Sequence, residues 1–548
     1  MSHEAAEDVL QQYRQKYVPC FPFVPIPAGW TAHHLSVHQP VLFAVIVHAV
    51  AAPTYPARAA FHKWFRQCLA QEVVGDQRKT LEMLQAILVF TAWGAYYLCA
   101  EPRGTDMMQL AMSLLYDLGL NTPPAATREH TLQEQRAALG CFYICSGAAP
   151  IFRQAATPTF TPYMNQCCER LAQLHDEPSD SYLAGLVRMQ LLASRWAAAF
   201  PPPELSVGTP DIFDEPTYRA MTSAFTELER ISNDLPDTTK CNPLLWTTNS
   251  HALLVRIAST AIYMQAAPRP TTSRATTSNP PTPSPSPSQN QNQNQNQTNR
   301  TSTLQTCLTA CLATVTAYLT IPPSDLATTC PVTTTCSLAL ALLTLRNLLL
   351  LPQASAPTPG GGGEGGRGGK RYKWGGGWDD AGADDAGWDF NAARQSVDFA
   401  GLVGRLCERF EEAYRVSCCQ GQGHASEGLL SVAGGGGGGD GQGYGHDGVG
   451  GTGTGTGTAR GFEELSGGGA EAGPAVLGYW KKLKWLKEWY LSEAAAAEAS
   501  ARSAGADLEH GDELLDSRLL EITGEYHDDA WLSLAGPEDL LSWAIDTW

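Results

Sequence analysis

Along the first half of the chain, apolar side chains recur at spacings of three and four residues, the pattern of helices that each bury one face. Val9, Leu10, Tyr13 and Tyr17 share a face over residues 4–17. Pro19 ends that helix, and Pro22, Pro25 and Pro27 keep the next stretch extended. Residues 41–51, opened by Gln39-Pro40, are apolar on nearly every side, as buried helices are. Phe61, Trp64, Phe65, Cys68 and Leu69 mark an amphipathic helix over 57–72. Thr80 can cap the next helix, which the pattern carries to about residue 98 with Leu81, Leu84, Ile87, Leu88 and Thr91 inward. Leu110, Leu114, Leu115 and Leu118 form the stripe of a helix over 107–118, and Gly119 suits its C-terminal cap. The same periodicity continues over 131–148, 161–175, 181–199, 216–235 and 244–265. No alternating β-branched run interrupts it, so the predicted fold class is all-α, a helical array.

Beyond this block the pattern breaks repeatedly. Residues 1–266 read as the first part of a helical domain. Residues 267–303 are rich in Pro, Ser and Thr and then run as Gln-Asn repeats; they lack the apolar surface to offset their ordering entropy and read as a disordered linker. Helical patterning returns over 304–352, with helices at 304–319 and 337–351, and continues the domain. Residues 353–390 form a Gly-rich linker carrying Trp374, Trp378 and Trp388. One helix is predicted over 391–417, with Val397, Leu402, Leu406, Phe410 and Tyr414 inward. A second Gly-rich linker spans 418–475, a basic-aromatic helix 476–503 and an acidic-aromatic tail 504–548.

Composition sharpens this division. The 52 glycines and 36 prolines concentrate in the linkers, leaving a core to be built from roughly 330 of the 548 residues. The formal net charge of -18 argues against nucleic-acid binding over the whole surface. From Asp507 to the end, Arg518 is the only Lys or Arg, so much of that charge belongs to the tail. The first residues show no basic-then-apolar signal pattern, which predicts an intracellular chain with reduced thiols. Residues 41–52 and 337–351 are apolar but short, and carry His48 and Arg346, so they read as buried helices rather than membrane spans.

Candidate chemistry is sparse. Cys141/Cys145 and Cys307/Cys311 stand four apart, the spacing of half a zinc site, but no partner pair accompanies them and they read as small buried apolar residues. Cys167/Cys168 and Cys418/Cys419 are adjacent pairs, the latter in a linker flank. His33, His34 and His38, near Trp30, have no carboxylate or thiolate company and read as exposed loop histidines. Asp379, Asp380, Asp384 and Asp385 resemble the Asp-Asp-x-x-Asp magnesium motif of helical transferases. Ala383 breaks that motif and flanking glycines disfavour a helix, which leaves a magnesium-dependent transferase a remote alternative. No GxSxG, phosphate loop or HExxH occurs, so an enzyme is not expected. Lys481, Lys482, Lys484 and Lys487 alternate with Trp485, Trp489 and Tyr490; the pattern reads first as a helix docked through Tyr479, Leu483, Leu486 and Tyr490 with its lysines solvated, the alternatives being a partner-binding, membrane-surface or import helix.

The order of the first-half segments resembles the regulatory region of fungal zinc-cluster transcription factors. The stretches VLQQYRQKYVPCFPFVPIP (9–27), QPVLFAVIVHAVAAP (39–53), KTLEMLQAILVFTAWGAYYL (79–98), QLAMSLLYDLGLN (109–121) and RAALGCFYICS (136–146) carry the resemblance, the fourth most of all. Its family-motif helix ends in Asp117, Leu118, Gly119, Leu120 and Asn121. The match covers residues 8–150 well and 150–265 loosely. The resemblance implies a nuclear regulator of RNA polymerase II transcription that pairs as a homo- or heterodimer. Family members carry zinc in a six-cysteine cluster whose halves contain C-x2-C, and no C-x2-C occurs here. No cofactor is therefore expected in this chain, zinc belonging to the missing cluster, and DNA would be reached only through a missing or partner domain.

With that resemblance, the tail reads as an activation segment. Trp531, Leu532, Leu534, Leu540, Leu541, Trp543, Ile545 and Trp548 are interleaved with carboxylates that keep apolar side chains in solvent. A coactivator or the transcription machinery could then take those side chains as an induced helix. Docking of the tail on its own domain is the competing reading. A scaffold or inhibitor that pairs with a full-length regulator without binding DNA is the alternative function, and no membrane partner is expected.

Overall fold

The computed structural model describes residues 1–51, 55–93, 105–124, 128–148, 157–200, 213–264 (except 236, 238 and 239), 287–326, 331–350, 388, 390–421 and 483–491 in part. Among these residues the secondary structure is helical, without strands. The chain begins with α1 (His3–Gln12), which runs into a π-helical turn at Tyr13–Tyr17, then α2 (Ala32–His38), α3 (Pro40–Val50), α4 (Tyr55–Leu69), α5 (Leu81–Trp93) and α6 (Thr105–Asp117). There follow α7 (Leu132–Ala148), α8 (Pro162–Leu174), α9 (Asp180–Ala199), α10 (Glu215–Asp234), α11 (Pro243–Ala258) and the single turn α12 (Thr260–Tyr263). The last described helices are α13 (Pro287–Thr320), α14 (Val332–Leu350), α15 (Phe390–Ser396) and α16 (Phe399–Gly421).

The centre of the array is α7. It packs against α5, α6, α8, α9 and α14. Residues on every side of it are buried, including Ala137, Leu139, Cys141, Phe142, Ile144 and Cys145. Its start is a reciprocal cap: Glu134 donates its backbone N–H to Thr131 Oγ1 (3.2 Å), and the Thr131 N–H returns to Glu134 Oε2 (2.8 Å). The N-terminal helices are seated by carboxylates from elsewhere in the chain. Glu7 accepts from Ala32 N at the start of α2 (2.8 Å), and Glu82 accepts from Val41 N (2.8 Å) and Leu42 N at the start of α3. Burial pushes the Glu82 carboxyl above its usual range, against the pull of those two N–H groups. The proline-rich segment that follows is pinned from the π-helical turn: Arg14 donates to Ile26, Pro27 and Trp30 carbonyls, and the Tyr13 hydroxyl to Val24 O.

The second half extends the same core. α11 packs on α9, α10, α13 and α14, and α14 reaches back to α5 and α7. By length and composition α14 is the one helix among the described residues apolar enough to cross a membrane, and most of it is buried inside the protein against these neighbours.

Three boundaries differ from the sequence expectation. The Gln-Asn tract, assigned to a disordered linker reaching residue 303, is helical from Pro287. Gln291, Asn292, Asn294 and Gln295 are exposed, but Arg300 is buried and donates to Ala261 O (3.2 Å) and Met264 O (3.1 Å), capping the end of α12. A polar side chain far along the helix thus supplies the anchor that composition did not reveal. The helix predicted from residue 337 begins at Val332, because Val332 and Cys336 are buried and Thr333 faces Tyr143. The single helix predicted over 391–417 is two, broken where Asp398 turns its carboxylate to Gly401 N (2.8 Å) and restarts the chain as an N-cap.

Candidate functional site

The residues of the fungal motif lie at a joint between three helices. α6 stops at Asp117, and Gly119 adopts a left-handed backbone with φ of 68°. Leu120 N then donates to Leu115 O (3.1 Å) and Gly119 N to Tyr116 O (3.0 Å), the paired bonds of a Schellman stop. Leu120 drops into the core at 2 % exposure. The Asn121 carbonyl accepts from Thr161 Oγ1 (2.7 Å), whose oxygen also caps Met164 N at the start of α8 (3.2 Å). Asp117 sits at the negative end of α6, where a carboxylate is unfavourable alone. Lys79, just ahead of α5, meets it at 2.9 Å, and with Ser113 holds its carboxyl below the usual range. Leu118 packs half-buried against the core. Each motif residue therefore serves a joint rather than a ligand.

Replacing Gly119 by alanine is expected to cost about 1–2 kcal/mol, the strain of a left-handed L-residue. A Cβ there would meet no atom within 4 Å, so sterics with neighbours add nothing. Gly119→Asn should cost less, since Asn tolerates that backbone. Urea unfolding of both variants checks the order; equal costs would mean that the backbone is not the cause.

The structure also holds a buried ion pair that the sequence pattern did not flag. Arg136, on α7, donates through Nε to Asp180 Oδ1 (2.8 Å) and through Nη2 to Asp180 Oδ2 (2.8 Å) and Asp176 Oδ2 (2.9 Å). Its side chain is 3 % exposed and that of Asp180 is fully buried. Asp180 also accepts from Glu177 N (3.0 Å) and opens α9, where a negative charge suits the helix N-terminus. Burial works against the Arg136 charge, but the bonds to Asp180 and Asp176 outweigh it and raise the guanidinium pKa. In the sequence Arg136 only opens the stretch 136–146, and the 44 residues to its partner hide the pair.

The cysteines behave as core atoms. Cys141, Cys145, Cys167, Cys168, Cys307 and Cys311 are buried and free. The Cys141 thiol is pushed well up by its hydrogen bond with Cys145 and then by burial, and Cys168 by burial to about 12. Among the described residues no group of three or more His, Cys, Asp or Glu side chains could hold a metal ion. His33, His34 and His38, expected in a loop, stand on α2. A shallow groove of about 410 Å³ between α11 and α13 is lined by His251, Leu254, Gln305 and the hydroxyl-bearing Ser302, Thr306 and Thr309.

Of the basic-aromatic segment, residues 483, 484, 486–488 and 491 are described and helical. Leu483 is buried, Leu486 packs against the core, and Lys487 Nζ lies over Gly404 of α16. The tail residues Trp531, Leu532, Leu534, Leu540, Leu541, Trp543, Ile545 and Trp548 lie outside the described residues, as do Asp379, Asp380, Asp384 and Asp385.

Sequence comparison finds three fungal transcription factors. The chain is 29% identical over 208 residues to transcription factor himD of Aspergillus japonicus, covering 35% of this chain and 34% of that protein. It is 27% identical over 214 residues to transcription factor opdL of Penicillium oxalicum, covering 34% of this chain and 37% of that protein. It is 25% identical over 260 residues to transcription factor pbcR of Emericella nidulans, covering 42% of this chain and 34% of that protein. The chain thus spans about a third of the length of the relatives it matches. No family model and no solved structure matches it.

Proposed function

We propose that the chain is a nuclear transcription regulator of the fungal zinc-cluster type, acting as a regulatory and activation part. The likeness to three fungal transcription factors carries this reading. The all-α array supports it, with the Asp117–Asn121 segment serving as a helix joint. In this reading α1–α16 form the regulatory body, and residues 504–548 recruit a coactivator through Trp531, Trp543, Trp548 and the leucines between them. DNA is reached through a domain that carries a zinc cluster, on this protein or on a dimer partner, and the chain itself catalyses nothing.

Residues 504–548 fused to a heterologous DNA-binding domain are expected to raise a reporter at least tenfold, and Trp531→Ala, Trp543→Ala and Trp548→Ala together to return it to background. A silent fusion, with expression verified, removes the activation claim. Because no C-x2-C occurs in the chain, a pairing protein that restrains a full-length regulator is the second reading. Chromatin capture favours it if the chain is found with such a regulator while the target sites stay empty.

A further inference from the structure

The helix α2 changes the meaning of the histidines near Trp30. Placed on a helix, His34 and His38 are four residues apart and share one face. Their ring centroids are 4.3 Å apart with planes at 43°, and the Trp30 ring centroid lies 4.7 Å from that of His34. Two imidazoles bound at neighbouring positions of one ion, each with a metal–nitrogen bond of about 2.0–2.1 Å, bring their ring centres to roughly 4.5–5 Å. The observed ring separation of 4.3 Å lies close to that range.

The support beneath the pair is fixed. Glu7 holds the first N–H of α2 (2.8 Å), Thr31 Oγ1 caps His34 N (3.1 Å), and Ala32 and Leu35 are anchored in the core. The opposite face is open: His33, Val37 and His38 are exposed and His34 is half-buried. Neither the His34 nor the His38 ring has a hydrogen-bond or ionic partner among the described residues, and their described ring contacts are with each other and with Trp30. Chelation therefore breaks no existing bond and orders little that is not already ordered, the condition under which a two-ligand site binds.

We propose that His34 and His38 form a surface chelate for a divalent transition metal of the zinc class, one ring nitrogen from each, with water at the remaining positions. The ion clips one turn of a seven-residue helix. Among the described residues no carboxylate or thiolate joins the pair to make a group of three, so the proposed site is open and binds as a bidentate ligand. This site does not depend on the transcriptional reading.

The test is titration of the full chain with zinc chloride under reducing conditions, followed by calorimetry. The wild type is expected to bind one more ion than His34→Ala/His38→Ala, with either single variant weakened at least tenfold at that site and His33→Ala unchanged. Histidine-labelled NMR reads the same event locally: zinc should shift the ring signals of His34 and His38 together. Far-ultraviolet circular dichroism and the unfolding midpoint verify that the variants fold. Equal stoichiometry in wild type and double variant, or zinc binding that leaves both ring signals in place, overturns the proposal.

Discussion

Arg136→Ala is expected to destabilise the helical body by about 3–5 kcal/mol, because it strands a fully buried carboxylate without its counter-charge. The magnitude follows from which partner is removed. Among the described residues Arg136 is the one cation bonded to both Asp180 and Asp176, and Asp180 is closed off from water. Removing the exposed partner is a different experiment. Asp176 is half in solvent, so Asp176→Asn should cost at most about 1 kcal/mol. Arg136→Lys keeps the charge but loses the two-pronged geometry on Asp180 and should fall between the two. Arg136→Met combined with Asp180→Asn should recover much of the loss, since it removes both buried charges at once. Urea unfolding followed by helical ellipticity gives the ordering. An Arg136→Ala chain within about 0.5 kcal/mol of wild type would mean that water reaches Asp180 after all.

The second large effect comes from two glycines inside helices. In an exposed helix, Gly→Ala gains about 1 kcal/mol, and here the sign should reverse. A Cβ on Gly140 of α7 would stand 2.6 Å from Phe23 Cβ and 3.2 Å from Leu88 Cδ1; a Cβ on Gly185 of α9 would stand 2.5 Å from Trp246 Cη2. Overpacking of this kind costs about 1–3 kcal/mol or more. The two sites should respond differently to rescue. The Gly185 clash is with the far end of an indole, so Trp246→Phe should restore much of the stability of Gly185→Ala. The Gly140 clash is with a Cβ fixed to the backbone, so Phe23→Leu, which keeps that atom, should not restore Gly140→Ala. Rescue at both sites, or at neither, would show that the close approaches are not what requires glycine.

These two predictions mark what the chain's pattern could not disclose. Phe23 belongs to the proline-rich stretch that reads as extended chain, and nothing in its neighbours announces that α7 will rest on it. Arg136 opens a run of small and apolar residues, and nothing within that run announces a carboxylate partner. The joint at residues 117–121 was legible in part: Gly119 after a leucine stripe predicts a left-handed stop. That Lys79 would neutralise Asp117 and that Asn121 would hold the cap of α8 depend on chain segments 38 and 40 residues away. The histidines failed for a local reason. Residues 32–38 carry too short an apolar stripe, Ala32 and Leu35, for periodicity to identify a helix, so the pairing of His34 with His38 went unseen.

What the sequence alone determined is what depends on neighbours within a turn or two: helices from apolar spacing, stops from Gly and Pro, a cap such as Thr80, which accepts from Met83 N, and the absence of strands among the described residues. Side chains that close in sequence sample one another in any conformation, so their chemistry sets local structure directly. Tertiary structure decided the rest: that the Gln-Asn tract is held as helix through Arg300, that α14 is a core helix lying on α5 and α7, and that Arg136 finds Asp180. Each of these couples residues from about 40 to more than 200 positions apart. The free energy of such contacts exists only after the chain between them has closed, which no window of the sequence contains.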